Sequence, residues 1–338
     1  MKKVLKWLKW IGIILISLIV IVFIASFFIP KKFAVSVTGE IDAPSIYAYN
    51  LLNDFKNQEK WDPWQGQDTT ATFTFSDKGT GVDSYVDFTS NMFGSGRTAI
   101  IRSEENKEIA MEAKTPEFGT LNWDYFFKEN GDKSELQWNT TMEIPWPLNV
   151  ISFIMKRSMK SGMEDGVQNM SDICNRRWKK NTYDGFKIEE EIIESKNYVM
   201  RRSIVSMNQI PQFYARNLGP LFQKIQDAEV EMEGKPSGLV YMHDGATGKL
   251  DIAAALPINQ EVNIAGADSE ILEAGRVVYI DYYGDPQLTE GAHMAIDRYL
   301  LDRGLTFKFP VVEEYVTDPS EEADESKWLT KIRYYIAD

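Results

Sequence analysis

Along the chain the spacing of apolar positions changes character, and each change marks a different kind of element. Residues 10–29 carry no charge and are almost uniformly large and apolar. At 1.5 Å of rise per residue, about 20 such positions match the ~30 Å hydrocarbon layer of a bilayer, which predicts one transmembrane helix. Over residues 33–144 the dominant period is two: Leu121, Trp123, Tyr125 and Phe127 alternate, as do Leu136, Trp138, Thr140, Met142 and Ile144. That is the period of half-buried antiparallel strands. Polar turns at Asp77-Lys78-Gly79, Glu105-Asn106 and Asn130-Gly131-Asp132 separate them at hairpin spacing, and an early helix is expected after Asp42-Ala43-Pro44. Beyond Pro145-Trp146-Pro147 the period becomes helical. Ile151, Met155, Met159, Met163, Val167, Met170 and Cys174 form one apolar stripe along a helix of about eight turns.

A polar helix end, Arg176-Arg177-Trp178-Lys179-Lys180-Asn181, runs into Thr182, Tyr183, Asp184 and Gly185, which read as a short linker. From residue 186 the sequence repeats itself: residues 198–258 and 276–336 show the same order of strand, helix, strand and strand. The helices 211–226 and 288–303 correspond, as do the strands 250–258 and 328–336. Gly238-Leu239-Val240-Tyr241 lies over the stretch from Val311 to Tyr315, with Tyr241 over Tyr315 and Leu239 as the counterpart of Glu313. The expected fold class is α+β in three parts. These are an anchor (1–32), an antiparallel sheet with a long C-terminal helix (33–181), and a pseudo-twofold pair of βαββ units placing two helices over one sheet (186–338).

Charge fixes the expected orientation. Lys2, Lys3, Lys6 and Lys9 precede the apolar run and only Lys31 and Lys32 follow it, which by the positive-inside rule leaves the N-terminus cytoplasmic and the body on the extracytoplasmic, periplasmic side. A cleaved signal peptide is the alternative, but the run exceeds the usual apolar core of about 7–15 residues and no A-x-A-like site precedes Pro30. No cysteine follows the run, which argues against lipid attachment there. Those six lysines are the only charges in the first 32 positions, which leaves 31 of the 37 basic residues against all 50 acidic ones, a net −19 for the body. Such a surface offers nothing to a phosphate backbone, and neither a basic recognition helix nor a helix-turn-helix pattern is present, so no nucleic-acid partner is expected.

Candidate chemistry is sparse. Cys174 is the single cysteine and reads as a small core residue, and with only His243 and His293 beside it no Cys/His metal site of familiar spacing can be built. No metal and no cofactor are expected, and a serine-histidine triad has little to draw on.

Residues 33–178, with Ile41-Asp42-Ala43-Pro44 before a helix, Trp61-Asp62-Pro63-Trp64 before the next strand and one long closing helix, resemble the helix-grip fold of the SRPBCC superfamily, which is START-like and polyketide-cyclase-like. Its members hold hydrophobic ligands between sheet and helix. The resemblance therefore implies a cavity walled by Met155 and Met159, beside the plain reading that these methionines fill a core. Residues 186–338 resemble the GyrI-like effector-binding domain, also found attached to bacterial transcription regulators. Lys249-Leu250-Asp251-Ile252, Leu256-Pro257-Ile258, Tyr283-Gly284, Pro310, Glu313-Glu314-Tyr315 and Asp318-Pro319 carry that resemblance. It implies that Glu313 projects into a central cleft and meets cationic or polar ligand groups. Period-two geometry sets Val311, Glu313 and Tyr315 on one face and turns Glu314, expected to be dispensable, to the other. Tyr315, Tyr283, Trp328 and Tyr282 are the expected aromatic lining, although Gly284-Asp285-Pro286-Gln287 departs from the family by lacking an aromatic residue after the glycine.

The resulting expectation is a membrane-anchored binding protein for a small hydrophobic or cationic ligand. Two alternatives stand beside it: a hydrolase or cyclase using Glu313, and a partner-binding protein with closed cavities.

Overall fold

The computed structural model describes residues 2–65, 68–92, 94–116, 119–245, 247–318 and 320–337. Pro319, which closes one of the motifs quoted above, and Asp338, the last residue of the second expected domain, lie outside them. The chain divides into two units, Met1–Lys179 and Lys180–Asp338.

The first unit begins with helix α1 (Lys2–Ser26), one N-terminal helix long and apolar enough to cross a membrane. Strand β1 (Lys32–Ile41) follows, then the short helices α2 (Ser45–Leu52) and α3 (Gln58–Trp61). Next come β2 (Thr72–Phe75), β3 (Tyr85–Ser90), β4 (Gly94–Glu104), β5 (Glu108–Thr115), β6 (Gly119–Asn130) and β7 (Lys133–Glu143). They form one antiparallel sheet ordered β1-β7-β6-β5-β4-β3-β2, in which each strand pairs with its sequence neighbour and β1 returns to pair with β7. The period-two residues fall where their alternation placed them: Tyr125, Leu136 and Trp138 are fully buried. Each large apolar side chain buried in this way contributes about 1.5–3 kcal/mol.

Helix α4 (Ser152–Lys180) closes the unit. Its apolar stripe is buried only from Met163 onward, through Val167, Met170 and Cys174, with Gly166, Ile173 and Arg177 joining it. Ile151, expected at the head of the buried stripe, is instead exposed, and Met155 and Met159 are half-buried. At Gly162 the helix comes so near the indole of Trp64 that a Cβ would sit 2.7 Å from the ring, which no real side chain tolerates.

In the second unit the segment expected to be a linker is a small hairpin, β8 (Thr182–Tyr183) with β9 (Phe186–Lys187). Tyr183 is fully buried with its ring 5.7 Å from that of Tyr299, Asp184 pairs with Arg298, and Asn181 Oδ1 accepts from Arg303 at 2.6 Å. The polar side chains of Asn181 and Asp184 make contacts to one helix, although Asp184 and Gly185 at the turn remain exposed.

The remaining elements are β10 (Glu189–Ile193), β11 (Lys196–Ser206), α5 (Ile210–Asp227), β12 (Ser237–Asp244), β13 (Lys249–Ile258) and β14 (Asp268–Leu272), then β15 (Gly275–Tyr283), α6 (Glu290–Arg303), β16 (Phe307–Tyr315) and β17 (Leu329–Ile336). The sheet order β10-β15-β17-β16-β12-β13-β11-β14 reads the same outward from the β12–β16 junction, as two βαββ repeats related by a twofold require. Helix α5 packs on β11 and β13 through Leu221 and Ile225, and α6 packs on β15. The two helices therefore cover the flanks of the sheet and leave its central pair, β12 and β16, beneath the gap between them. One detail of the expected repeat alignment is corrected. Leu239 pairs with Val312 and shares its core on the face away from the helices, so it is not the counterpart of Glu313, which lies opposite Gly238.

Candidate functional site

Each unit carries one candidate site. In the first, the sheet and α4 enclose a cavity of ≈ 270 Å³. Its wall is chiefly apolar, with Phe88, Leu121 and Trp123 from the sheet, Trp64 from the loop after α3, and Met155 and Met159 from α4. The half-burial of the two methionines is explained by this cavity. Among the wall residues Asp62 stands out: its carboxylate accepts from Trp64 N and from Gln58 Nε2, both at 2.8 Å, and burial pushes the carboxyl above its ordinary range despite those bonds. Gln58 Oε1 and Trp123 Nε1 are buried without a partner among the described residues. An acceptor and a donor left unmet in an apolar wall are costly unless something supplies the missing bonds. By contrast, Asp68 in the same wall is held well below the carboxylate range by Ser90 Oγ (2.5 Å), Thr70 Oγ1 (2.5 Å) and backbone N–H groups, and serves to tie its loop to β3.

In the second unit Glu313 lies on the helix-facing side of β16 with its side chain 14 % exposed. Its Oε1 is 2.9 Å from His293 Nε2 on α6, and its Oε2 accepts from Tyr315 Oη at 3.2 Å. The other ring nitrogen of His293 is 2.9 Å from Tyr334 Oη. On the far side, Tyr315 stacks edge-on to Tyr214 of α5 at 5.8 Å between ring centroids. Burial, reinforced by the charge on Glu313, raises the phenols of Tyr214 and Tyr315 above their ordinary range, so both stay protonated and available as donors. A hydrogen-bonded chain therefore runs from Tyr334 through His293 and Glu313 to Tyr315, whose ring meets Tyr214 of α5 across the gap between the helices. Among the described residues, His293 is the only basic side chain within 4 Å of the Glu313 carboxylate.

No protein-family profile and no curated protein matches the chain. Solved structures do. The chain is similar to the C-terminal domain of EcmrR, at 15% identity and a TM-score of 0.40, over 45% of this chain and 98% of that one. It is also similar to SAV2435 bound to tetraphenylphosphonium, at 15% identity and a TM-score of 0.35 over 45% and 94%. A third is a START superfamily protein from Mycobacterium smegmatis, at 18% identity and a TM-score of 0.33 over 41% and 94%.

The structure brings some of the expected site residues together and separates others. Met155 and Met159 share one cavity wall, and Glu313 and Tyr315 share one hydrogen-bonded cluster. Tyr283 does not join them: it pairs with Leu329 on the face away from the helices and is 60 % exposed. Trp328 is spent on a loop, its Nε1–H donating to the Glu322 carbonyl at 2.8 Å, and Tyr282 packs against Phe186. Glu314 does face away from Glu313, but it is not idle. It is buried, with Arg333 Nη1 at 2.6 Å and Lys196 Nζ at 3.6 Å.

His293, Tyr214 and Tyr334 are site residues that sequence reasoning missed. The available signal was the repeat itself, which puts two helices beside the central strands and so requires facing side chains from both. Asp62 was quoted within its motif but given no role.

The raised carboxyl of Asp62 yields a signed prediction. A carboxyl raised in the fold contributes stability that is fully present below its unfolded pKa of about 4 and is lost as pH rises through the folded value. Asp62→Asn removes that loss, and the Gln58 amide can turn so that Oε1 accepts from the new amide. Stability at pH 7 is expected to hold or rise by about 1 kcal/mol. Urea unfolding at pH 5 and pH 8 checks this, since the advantage of the variant should grow with pH.

Proposed function

We propose that this chain is a membrane-anchored protein that binds small apolar or cationic molecules and does not act on nucleic acid. The cavity carries the reading. A volume of ≈ 270 Å³ lies near the lower end of the roughly 300–1,000 Å³ typical of ligand pockets, and an apolar wall with a few converging polar groups suits an amphipathic guest. A partner-binding role with closed interiors does not account for it. Helix α1 supports anchoring, and the four lysines before its apolar run, against two after it, support a cytoplasmic N-terminus with the body on the periplasmic side.

Mass spectrometry of small molecules that co-purify with the detergent-extracted full chain tests this directly. Met159→Trp fills the cavity at a typical overpacking cost of about 1–3 kcal/mol. An apolar molecule carried by the wild type should be depleted from this variant. Equal recovery from both would remove the cavity as its site.

The contact between His293 and Glu313 favours a second reading, in which the second unit is a hydrolase. A carboxylate held by an imidazole and flanked by protonated phenols can take a proton from water and offer donors to a developing oxyanion. Glu313→Gln would then abolish turnover while leaving substrate binding nearly intact.

A further inference from the structure

We propose that the start of α4 is seated in the membrane–water interface beside the exit of α1, so that the first unit holds the bilayer through two adjacent elements. The inference rests on the reading of α1 as a membrane anchor.

Phe153 is 84 % exposed and Ile154 72 %, with Leu148 and Ile151 also exposed on the same short stretch. Contiguous bulky apolar surface of this kind marks an interaction site rather than an ordinary soluble face. Its position is fixed by the end of α1. Trp146 packs on Phe23 and Phe27 with ring centroids 4.9 and 5.1 Å apart, and Asn149 Nδ2 donates to the carbonyls of Ser26 and Ile29 at 2.7 and 2.6 Å. The last carbonyls of a helix have no partner within it, so Asn149 ties the segment to the place where α1 ends. Phe23 lies within the apolar span Lys9–Ser26, which sets Trp146 at the depth of an interfacial aromatic belt.

The charge pattern names the occupant. Directly after Phe153 and Ile154 come Lys156, Arg157 and Lys160, and the chain leaving α1 adds Lys31 and Lys32. No acidic residue interrupts residues 144–163, in a body otherwise strongly acidic. Exposed apolar side chains followed by basic ones are the composition of a segment lying on anionic lipid.

The test uses the full chain in vesicles containing phosphatidylglycerol. A single cysteine bearing an environment-sensitive fluorophore is introduced by Phe153→Cys, Ile19→Cys or Asp132→Cys, and the buried Cys174 is left in place. Quenching by nitroxide-labelled lipid should reduce emission from positions 19 and 153 by roughly twofold or more, and leave position 132 unchanged. Quenching at 19 without quenching at 153 overturns the interfacial seat while the anchor stands. Quenching at neither position overturns the anchor, and the seat with it. A blue-shifted but unquenched label at 153 would mean that protein, a second copy or a partner, covers the patch, and overturns the assignment to lipid.

Discussion

Exchanging two adjacent glutamates for glutamine is expected to produce opposite phenotypes: Glu314→Gln should cost about 3–5 kcal/mol of stability, as breaking a buried ion pair does, whereas Glu313→Gln should leave stability unchanged or improved. Glu314 is 11 % exposed at its side chain and Arg333 13 %, and Arg333 also holds Glu191 at 2.9 Å. Removing the charge on Glu314 strands much of a buried guanidinium. Burial pushes the Glu314 carboxyl up, but the hydrogen bond and charge of Arg333, with Lys196, prevail and hold it below its ordinary range. A carboxyl depressed in the fold contributes stability that is present above its unfolded pKa of about 4.3 and is lost as pH falls through the folded value. The stability of Glu314→Gln should accordingly depend less on pH below about 4.5 than that of the wild type. Denaturant unfolding between neutral and acid pH reads both effects, and a wild-type-like curve would mean that the pair is solvated and inert.

Glu313→Gln should act on binding. On the proposed binding function, a lipophilic aromatic cation used as a probe should be drawn to a carboxylate bordered by Tyr214 and Tyr315. Loss of the charge should weaken its binding by about 1–3 kcal/mol, roughly 5- to 150-fold. Unchanged affinity would remove Glu313 as the recognition group.

The neighbouring glutamates also illustrate what the sequence could and could not reveal. Period two decides which face each side chain takes, and Glu313 and Glu314 do point to opposite faces. Periodicity does not report the partner on the far strand, and Arg333 is reached only through the β16–β17 register. The same limit explains Tyr283, aromatic and close in sequence to a turn yet turned away from the cleft, and Leu239, displaced by one position from the counterpart it was given. The order of the principal strands and helices was legible because those elements, such as β6, β7 and α4, are long and strongly periodic, whereas the two-residue strands β8 and β9 carry no period to read. Whether the first turns of α4 meet a core, a cavity or solvent was not legible, because an apolar stripe looks the same in each case, and both readings of Met155 and Met159 stood open.

Gly238→Ala should crowd the Tyr214–Tyr315 contact beside Glu313. Gly238 lies opposite Glu313 on the central strand pair, and a Cβ there would be 2.8 Å from Tyr315 Oη, 3.0 Å from Tyr214 Cζ, and closer still to Tyr214 Oη. In an open strand, replacing glycine by alanine is favourable by about 0.4–1 kcal/mol, because it restricts the unfolded chain. A loss at this position therefore reports the crowding of the two phenols. The expected cost is about 2 kcal/mol, since one ring must leave its place. Affinity for the same cationic probe should fall at least as far as in Glu313→Gln. Tyr214→Phe removes the hydroxyl that the new methyl meets first, so the double variant should recover part of the stability and show a coupling of about 0.5–3 kcal/mol. Strict additivity of the two substitutions, or an alanine variant more stable than the wild type, would mean that the phenols do not meet over Gly238.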